Sequence, residues 1–175
     1  MRYLASCVLA IALLTPLRTW AGPLEVAALV AGTGAGFVVH EAGHELMGRA
    51  LGNPPAWHWT DATWTTKSRS NIAPIAMAGF GAEGLASEVC TLAVNHSNSF
   101  CVGLKMHYLI NTAQYVVRSA FFAPGGHGDF TNLSHSDRNV AYAIITAHLA
   151  WTVLELAAPD AVPAWLTAEG ITVRW

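Results

Sequence analysis

Residues 38–52 read VVHEAGHELMGRALG and hold His40, Glu41 and His44 in the spacing H-E-x-x-H. In an α-helix the two histidines lie one turn apart on one face, so both rings can bind one metal ion. Glu41 follows His40 directly, and its carboxylate can then take a proton from water at the metal. The spacing predicts a helix that carries a hydrolase-type metal site.

The residues around the motif argue against a chance match. The chain has 8 His in 175 residues, and H-E-x-x-H arises by accident in about one such chain in a hundred. The alternative is a pair of polar histidines at a helix end. The motif, however, follows the apolar run Gly36-Phe37-Val38-Val39, and ionisable groups at membrane depth are costly and usually functional. We therefore favour a metal site.

The composition is that of a chain solvated by lipid. Hydrophobic residues make up 53% and charged residues 11%, against about 25% charged residues in soluble domains. The mean hydropathy is +0.38. A net charge of -2 gives no basic footprint, so we expect no nucleic-acid partner. A membrane protein is favoured, and a compact soluble helical bundle is the alternative.

Four apolar segments follow residue 22, and each is near the roughly 20 residues that span a bilayer. They run from Pro23 to Leu51, Ile72 to Val94, Phe100 to Ala123 and Val140 to Ala158. The chain is short enough for one domain. We therefore expect an all-α fold, a polytopic membrane helix bundle of about four transmembrane helices, in a single domain over residues 22–175.

Residues 1–21 have the features of a signal peptide. Arg2 gives a positive start, residues 3–17 are apolar but too short for a span, and Thr19-Trp20-Ala21 resembles a cleavage site. An uncleaved first membrane segment is the alternative interpretation.

The distribution of Arg and Lys predicts how the bundle is oriented across the membrane. Arg49, Lys67, Arg69, Arg118 and Arg138 all fall at one end of the four segments, whereas the 95–99 turn at the other end has no charge. The positive-inside rule then places the motif and the 124–138 loop together on the cytoplasmic side. We expect an integral membrane protein, of bacterial inner-membrane type, with its active site toward the cytoplasm.

Three further patterns in the sequence bear on the fold. Cys90 and Cys101 fall near the outer face, where a disulfide can form. The glycine run at 32–36 does not complete a nucleotide-binding motif, and we interpret it as close helix packing. Tryptophans in the 52–71 connector suggest that it lies along the lipid headgroups.

A zinc site needs a third protein ligand, since catalytic zinc usually takes three and one water. The candidates are Asp129, His127, Glu83 and Glu88. Asp129 comes first, because it lies in a Gly-rich loop on the same side as the motif. Glu83 comes next, since a gluzincin-like site takes a downstream helical Glu. Two imidazoles and a carboxylate suit zinc.

The third segment carries a polar stripe on one helical face, formed by His107, Asn111, Gln114 and Arg118. Such a stripe faces the bundle interior or a water-filled cavity. Hydrogen bonds between helices are the favoured interpretation, and access of water or substrate to the site is the alternative.

The motifs resemble the site-2 protease family of intramembrane zinc metalloproteases. HEAGHELMGRALG is similar to the family's membrane-helix motif. Residues 78–83, AGFGAE, resemble its A-G-P-x-x-N element, with Phe80 in place of proline and Glu83 in place of asparagine. Asp129 resembles the Asp of the family's D-G motif, but here Phe130 follows it and the glycine precedes it.

The resemblance implies a zinc-dependent intramembrane endopeptidase with one Zn²⁺ per chain. His40, His44 and Asp129 would bind the metal, and Glu41 would be the general base. Asn111 and Asn132 are the candidates for contacts to the oxyanion or substrate. The partners would be the lipid bilayer and a membrane-embedded or juxtamembrane peptide segment. The alternatives are an inert metal-binding membrane scaffold and a non-membrane gluzincin-type zinc peptidase.

Overall fold

The computed structural model describes residues 22–58, 63–94, 98–122 and 128–157. Its helices are α1 (Pro23–Ala50), α2 (Ile72–Ala93), α3 (Ser99–Phe121) and α4 (His135–Ala157), its strands are β1 (Ala56–His58) and β2 (Thr63–Thr65), and Gly128–Phe130 forms a 3-10 turn. The prediction of a signal peptide over residues 1–21 lies outside the described residues. The four predicted segments and the four helices agree closely in position, so the helical part of the fold class is confirmed.

Helix α1 lies against both α2 and α3, and small residues bring it close to them. A Cβ at Gly32 would lie 2.0 Å from the carbonyl oxygen of Phe100 on α3, and one at Gly43 would lie 2.3 Å from that of Ala78 on α2. No side chain fits at such distances, so the backbones meet directly. The interpretation of the glycine run at 32–36 as close helix packing is confirmed.

An aromatic core joins α2, α3 and α4 beside the 3-10 turn. Its buried residues are Ala76, Phe80, Tyr108, Phe130, Leu133, Ala141 and Ile145. The ring of Phe130 is fully buried and lies 5.3 Å from that of Phe80 and 5.1 Å from that of Tyr142. This packing fixes the short turn that also carries Asp129.

The connector after α1 contains strands, which the sequence analysis did not predict. β1 and β2 pair antiparallel with Trp57 opposite Trp64. The amide of the buried Asn53 holds the base of this hairpin, because its Nδ2 donates to the carbonyl oxygens of Ser68 at 2.8 Å and Ser70 at 3.1 Å. The fold is therefore mostly helical with one small hairpin, and it is not strictly all-α.

Cys90 near the end of α2 and Cys101 near the start of α3 form a disulfide. The prediction that these two residues pair is confirmed. The bond fixes the ends of the two helices beside each other.

Of the described helices, α1 and residues His135–Leu156 of α4 are long and apolar enough to cross a membrane. That is two helices where the sequence analysis expected about four. Their apolar side chains point outward to a large extent, and the exposed ones include Leu24, Val30, Phe37, Val38 and Leu46 on α1 and Val140, Ile144, Val153 and Leu154 on α4.

Candidate metal centre

Helix α1 presents His40 and His44 on its inward face, where both side chains are buried. Their Nε2 atoms lie 3.1 Å apart. Oδ2 of Asp129, carried by the 3-10 turn, lies 3.3 Å from each of them. The structure thus brings together the two motif histidines and the preferred third ligand, and we call these three residues the ligand cluster.

The ligand cluster has the dimensions of a zinc site. Zinc binds nitrogen and oxygen at about 2.0–2.1 Å in tetrahedral geometry, which sets neighbouring ligand atoms about 3.3 Å apart. The three separations here are 3.1, 3.3 and 3.3 Å. One tetrahedral ion therefore fits the three atoms with almost no movement.

The other ring nitrogens are held from α2. Nδ1 of His44 donates to the carbonyl oxygen of Ile75 at 2.7 Å, which leaves the lone pair of its Nε2 facing the cluster. Nδ1 of His40 lies 3.0 Å from Oε2 of Glu83. Hydrogen bonds of this kind fix ring orientation in metal sites.

Asp129 is positioned by two aromatic side chains. Nε1 of Trp64 in the hairpin donates to its Oδ1 at 2.8 Å, and the hydroxyl of Tyr115 donates to its Oδ2 at 2.7 Å. Neither partner was predictable from the sequence, because these contacts join segments far apart in the chain. Burial alone would raise the pKa of Asp129, but hydrogen bonds and charge from His40 and His44 outweigh it and hold the pKa well below its usual range.

Gly79 of α2 lies directly against the ligand atoms. A Cβ there would be 2.5 Å from Nε2 of His44 and 2.7 Å from Nε2 of His40. The missing side chain leaves room at the point where the three ligand atoms converge. Gly79 belongs to the AGFGAE element that the sequence analysis singled out.

Glu41 is partly buried on α1, directly after His40, and it interacts electrostatically with all three residues of the ligand cluster. Its Oε2 is shielded from solvent and has no hydrogen-bond partner among the described residues. An unpaired buried carboxylate oxygen costs at least about 1–3 kcal/mol, so folding alone does not favour this arrangement. A group with this placement is suited to accept a proton from a water molecule or to bind a substrate.

The other predicted residues are distributed as follows. Glu83 is fully buried behind His40 and also binds Nδ1 of His107. Asn111 lies beside the same Nδ1 of His40, at 3.2 Å, so two members of the polar stripe make hydrogen bonds between helices as expected. Asn132 is exposed in the turn before α4. His127 lies outside the described residues.

Glu88 belongs to a second polar group around the buried Lys105, which we call the lysine cluster: Lys105, Glu155, Glu88 and His148. Nζ of Lys105 pairs with Glu155 and lies 3.7 Å from Oε1 of Glu88. Nε2 of His148 lies 3.5 Å from the same oxygen. Glu88 is thus paired away from the motif histidines.

No protein-family model, no curated protein and no solved structure matches this chain.

Proposed function

We propose that this protein is a zinc-dependent endopeptidase of the membrane, similar to the site-2 proteases. The observation that carries the proposal is the ligand cluster, in which three ligand atoms from α1 and the 3-10 turn converge at zinc-site distances. The unpaired Oε2 of Glu41 beside the cluster adds the group that hydrolysis requires.

The chemistry follows from these residues. A zinc ion held by His40, His44 and Asp129 would supply Lewis acidity, which polarises a peptide carbonyl and lowers the pKa of water. Glu41 takes a proton from the attacking water as general base and passes it to the leaving amine. Trp64 and Tyr115 hold the Asp129 carboxylate in place during the reaction.

A membrane location is supported by the outward-facing apolar residues of α1 and α4. Large exposed apolar patches are uncommon on soluble monomers, and many of the large apolar side chains on α1 and α4 are exposed. Helices α2 and α3 have 22 and 23 residues, which at 1.5 Å per residue gives about 33 Å, close to the bilayer core. Their ionisable Glu83 and Lys105 are buried, as expected of polar groups in a membrane bundle. All four helices would then span.

The orientation follows from charge. Arg49, Arg118 and Arg138 lie at the end of the bundle that carries the ligand cluster, near the connector with Lys67 and Arg69. Under the positive-inside rule this end faces the cytoplasm. The substrate would be a membrane-embedded or juxtamembrane peptide segment.

Two alternatives are less well supported. A gluzincin-type site would take its third ligand from a helical Glu, but Glu83 faces Nδ1 of His40 and not the converging Nε2 atoms. An inert metal-binding scaffold would have no use for the unpaired Oε2 of Glu41. Both observations favour the peptidase.

The decisive experiment combines metal content and activity in detergent-purified protein. We expect about one zinc per chain in the wild type and none in His44→Ala, by elemental analysis. Glu41→Gln should keep its zinc and lose about 10²–10⁴-fold in peptide hydrolysis. Glu45→Gln, one turn further along α1, is the matched control and should keep both.

The outcomes separate the candidates. Zinc in the wild type without any hydrolysis that depends on Glu41 would favour the scaffold. Absence of zinc even after reconstitution would contradict the metal site, and release of the protein by a carbonate wash would contradict the membrane location.

A further inference from the structure

Nδ1 of His40 has two neighbours with opposite hydrogen-bonding requirements. Oε2 of Glu83 lies 3.0 Å away and, as a carboxylate oxygen, can only accept a proton. The side-chain amide nitrogen of Asn111 lies 3.2 Å away and can only donate one. The same ring nitrogen cannot satisfy both at once.

Each partner favours a different state of the neutral ring. When Nδ1 carries the proton it donates to Glu83, and the lone pair of Nε2 is free for a metal. When Nδ1 accepts a hydrogen bond from Asn111, the ring proton is on Nε2. It can then be donated in a hydrogen bond to Oδ2 of Asp129, 3.3 Å away. In that second state Nε2 cannot bind a metal. The choice made at Nδ1 therefore decides whether His40 is a ligand.

We propose that Glu83 is a positioning residue that selects the metal-binding tautomer of His40 against the competing donor Asn111. This inference deepens the proposed function and rests on its metal site. Its new content is an antagonism: Asn111 would oppose metal binding whenever Glu83 is absent.

The surroundings of Glu83 explain why it prevails over Asn111. Its side chain is fully buried on α2, and its other oxygen, Oε1, accepts from Nδ1 of His107 on α3. This second bond prevents the carboxylate from rotating away. Asn111 keeps an acceptor of its own, since its Nδ2 lies 3.5 Å from Oε2 of Glu83. With the proton on Nδ1 of His40, the donors of His40, His107 and Asn111 can each find an acceptor in the Glu83 carboxylate.

The test is a double-mutant comparison of zinc affinity in the full-length protein in detergent, measured by competition with a zinc chelator. Glu83→Ala should bind zinc about 10–100-fold more weakly, the usual effect of removing such a partner of a ligand histidine. Asn111→Ala alone should bind as the wild type does. The double variant Glu83→Ala/Asn111→Ala should recover most of the lost affinity, because the competing donor is gone.

Matched controls come from the same helices. Ser87→Ala changes a buried residue of α2 whose hydroxyl donates to the carbonyl oxygen of Gly84 on the same helix, and Gln114→Ala shortens another member of the polar stripe on α3. Both should bind zinc as the wild type does. If Glu83→Ala does not fold, Glu83→Gln replaces it. The amide of glutamine can turn its NH₂ group toward Nδ1 of His40, so the preference for a proton on Nδ1 is lost.

A second readout does not depend on zinc. In ¹⁵N-histidine-labelled protein, the hydrogen-bonded Nδ1 proton of His40 should give a downfield resonance in the wild type and in Asn111→Ala, and this signal should disappear in Glu83→Ala. A wild-type ring without a proton on Nδ1 would overturn the inference.

The affinities give two further ways to reject it. A double variant as weak as Glu83→Ala would show that Asn111 is no competitor. The absorption spectrum of the Co²⁺-substituted protein reports the number of metal ligands. If Glu83→Ala has one ligand fewer than the wild type by this measure, Glu83 is a direct ligand. A wild type that binds no zinc would instead overturn the proposed function. The NMR resonance of the Nδ1 proton of His40 would then still test which tautomer Glu83 selects.

Discussion

The ligand cluster and the lysine cluster are both polar groups between helices, the first buried and the second partly buried, but their charges are arranged differently. In the lysine cluster the ammonium of Lys105 lies between two carboxylates, so each charge has an opposite charge as neighbour. In the ligand cluster two ring nitrogens and a carboxylate oxygen point at one another. All three are acceptors once each Nδ1 carries its ring proton.

This difference separates a structural group from a candidate site. Buried charges are normally paired, because an unpaired one costs several kcal/mol. The lysine cluster satisfies that rule within the chain, and it joins α2, α3 and α4. With neutral imidazoles protonated at Nδ1, the ligand cluster has three acceptor atoms facing one another and no donor among them, so a cation would satisfy all three.

The largest expected effect comes from Asp129→Ala, which removes one of three ligands from the ligand cluster. We expect zinc to fall from about one per chain to none, because catalytic zinc requires three protein ligands. Elemental analysis measures it. Asp137→Ala, an exposed carboxylate at the start of α4, is the control and should keep its zinc. Full zinc in Asp129→Ala would move the third ligand elsewhere.

Lys105→Met should have the opposite effect from Asp129→Ala: a loss of stability without a loss of zinc. It leaves Glu155 and Glu88 without their cation, and breaking a buried pair in this way costs about 3–5 kcal/mol in the free energy of unfolding. Zinc per folded chain should not change. Thermal unfolding in detergent, together with metal content, measures both.

The control for Lys105→Met is Lys67→Met, which changes an exposed lysine in the connector and should leave stability unchanged. The distinction between the two clusters fails if Lys105→Met loses zinc while its stability is kept.

A smaller effect is expected from Gly79→Ala, which adds one methyl group beside the ligand atoms. The Cβ would lie 2.5 Å and 2.7 Å from the two Nε2 atoms. Overpacking of this kind costs about 1–3 kcal/mol, which corresponds to about 5–150-fold in zinc affinity.

Gly81→Ala is its matched control on the same helix, because a Cβ at Gly81 meets nothing within 4 Å. Equal zinc affinities in the two variants would show that the space beside the ligand atoms has no role in binding.

The helices were predictable from the sequence because each is a long apolar segment. The hairpin was not. Its strands have only three residues each, too few for an alternating pattern to stand out. Trp64 was interpreted as an interfacial residue of the connector, whereas it contacts Asp129. Contacts between distant segments leave no local signal.

The candidate site was predicted in part. The spacing H-E-x-x-H identifies His40, Glu41 and His44 because helix geometry alone places them together. Asp129 ranked first through the charge-based topology, and the structure brings it to the histidines. Glu83 was considered as a ligand, but its carboxylate faces the opposite ring nitrogen of His40. No spacing rule distinguishes a ligand from the residue that supports one.

The distance along the chain between the ligands has a consequence for biosynthesis. His40 and Asp129 are 89 residues apart, so at about 5–20 residues per second the ribosome adds Asp129 roughly 4–18 s after His40. During that interval α1, α2 and α3 can form, with the histidine pair already on one helical face and the ligand cluster still incomplete. The three candidate ligand residues are therefore complete only at a late stage of synthesis, and a chain truncated before Asp129 would lack the third one.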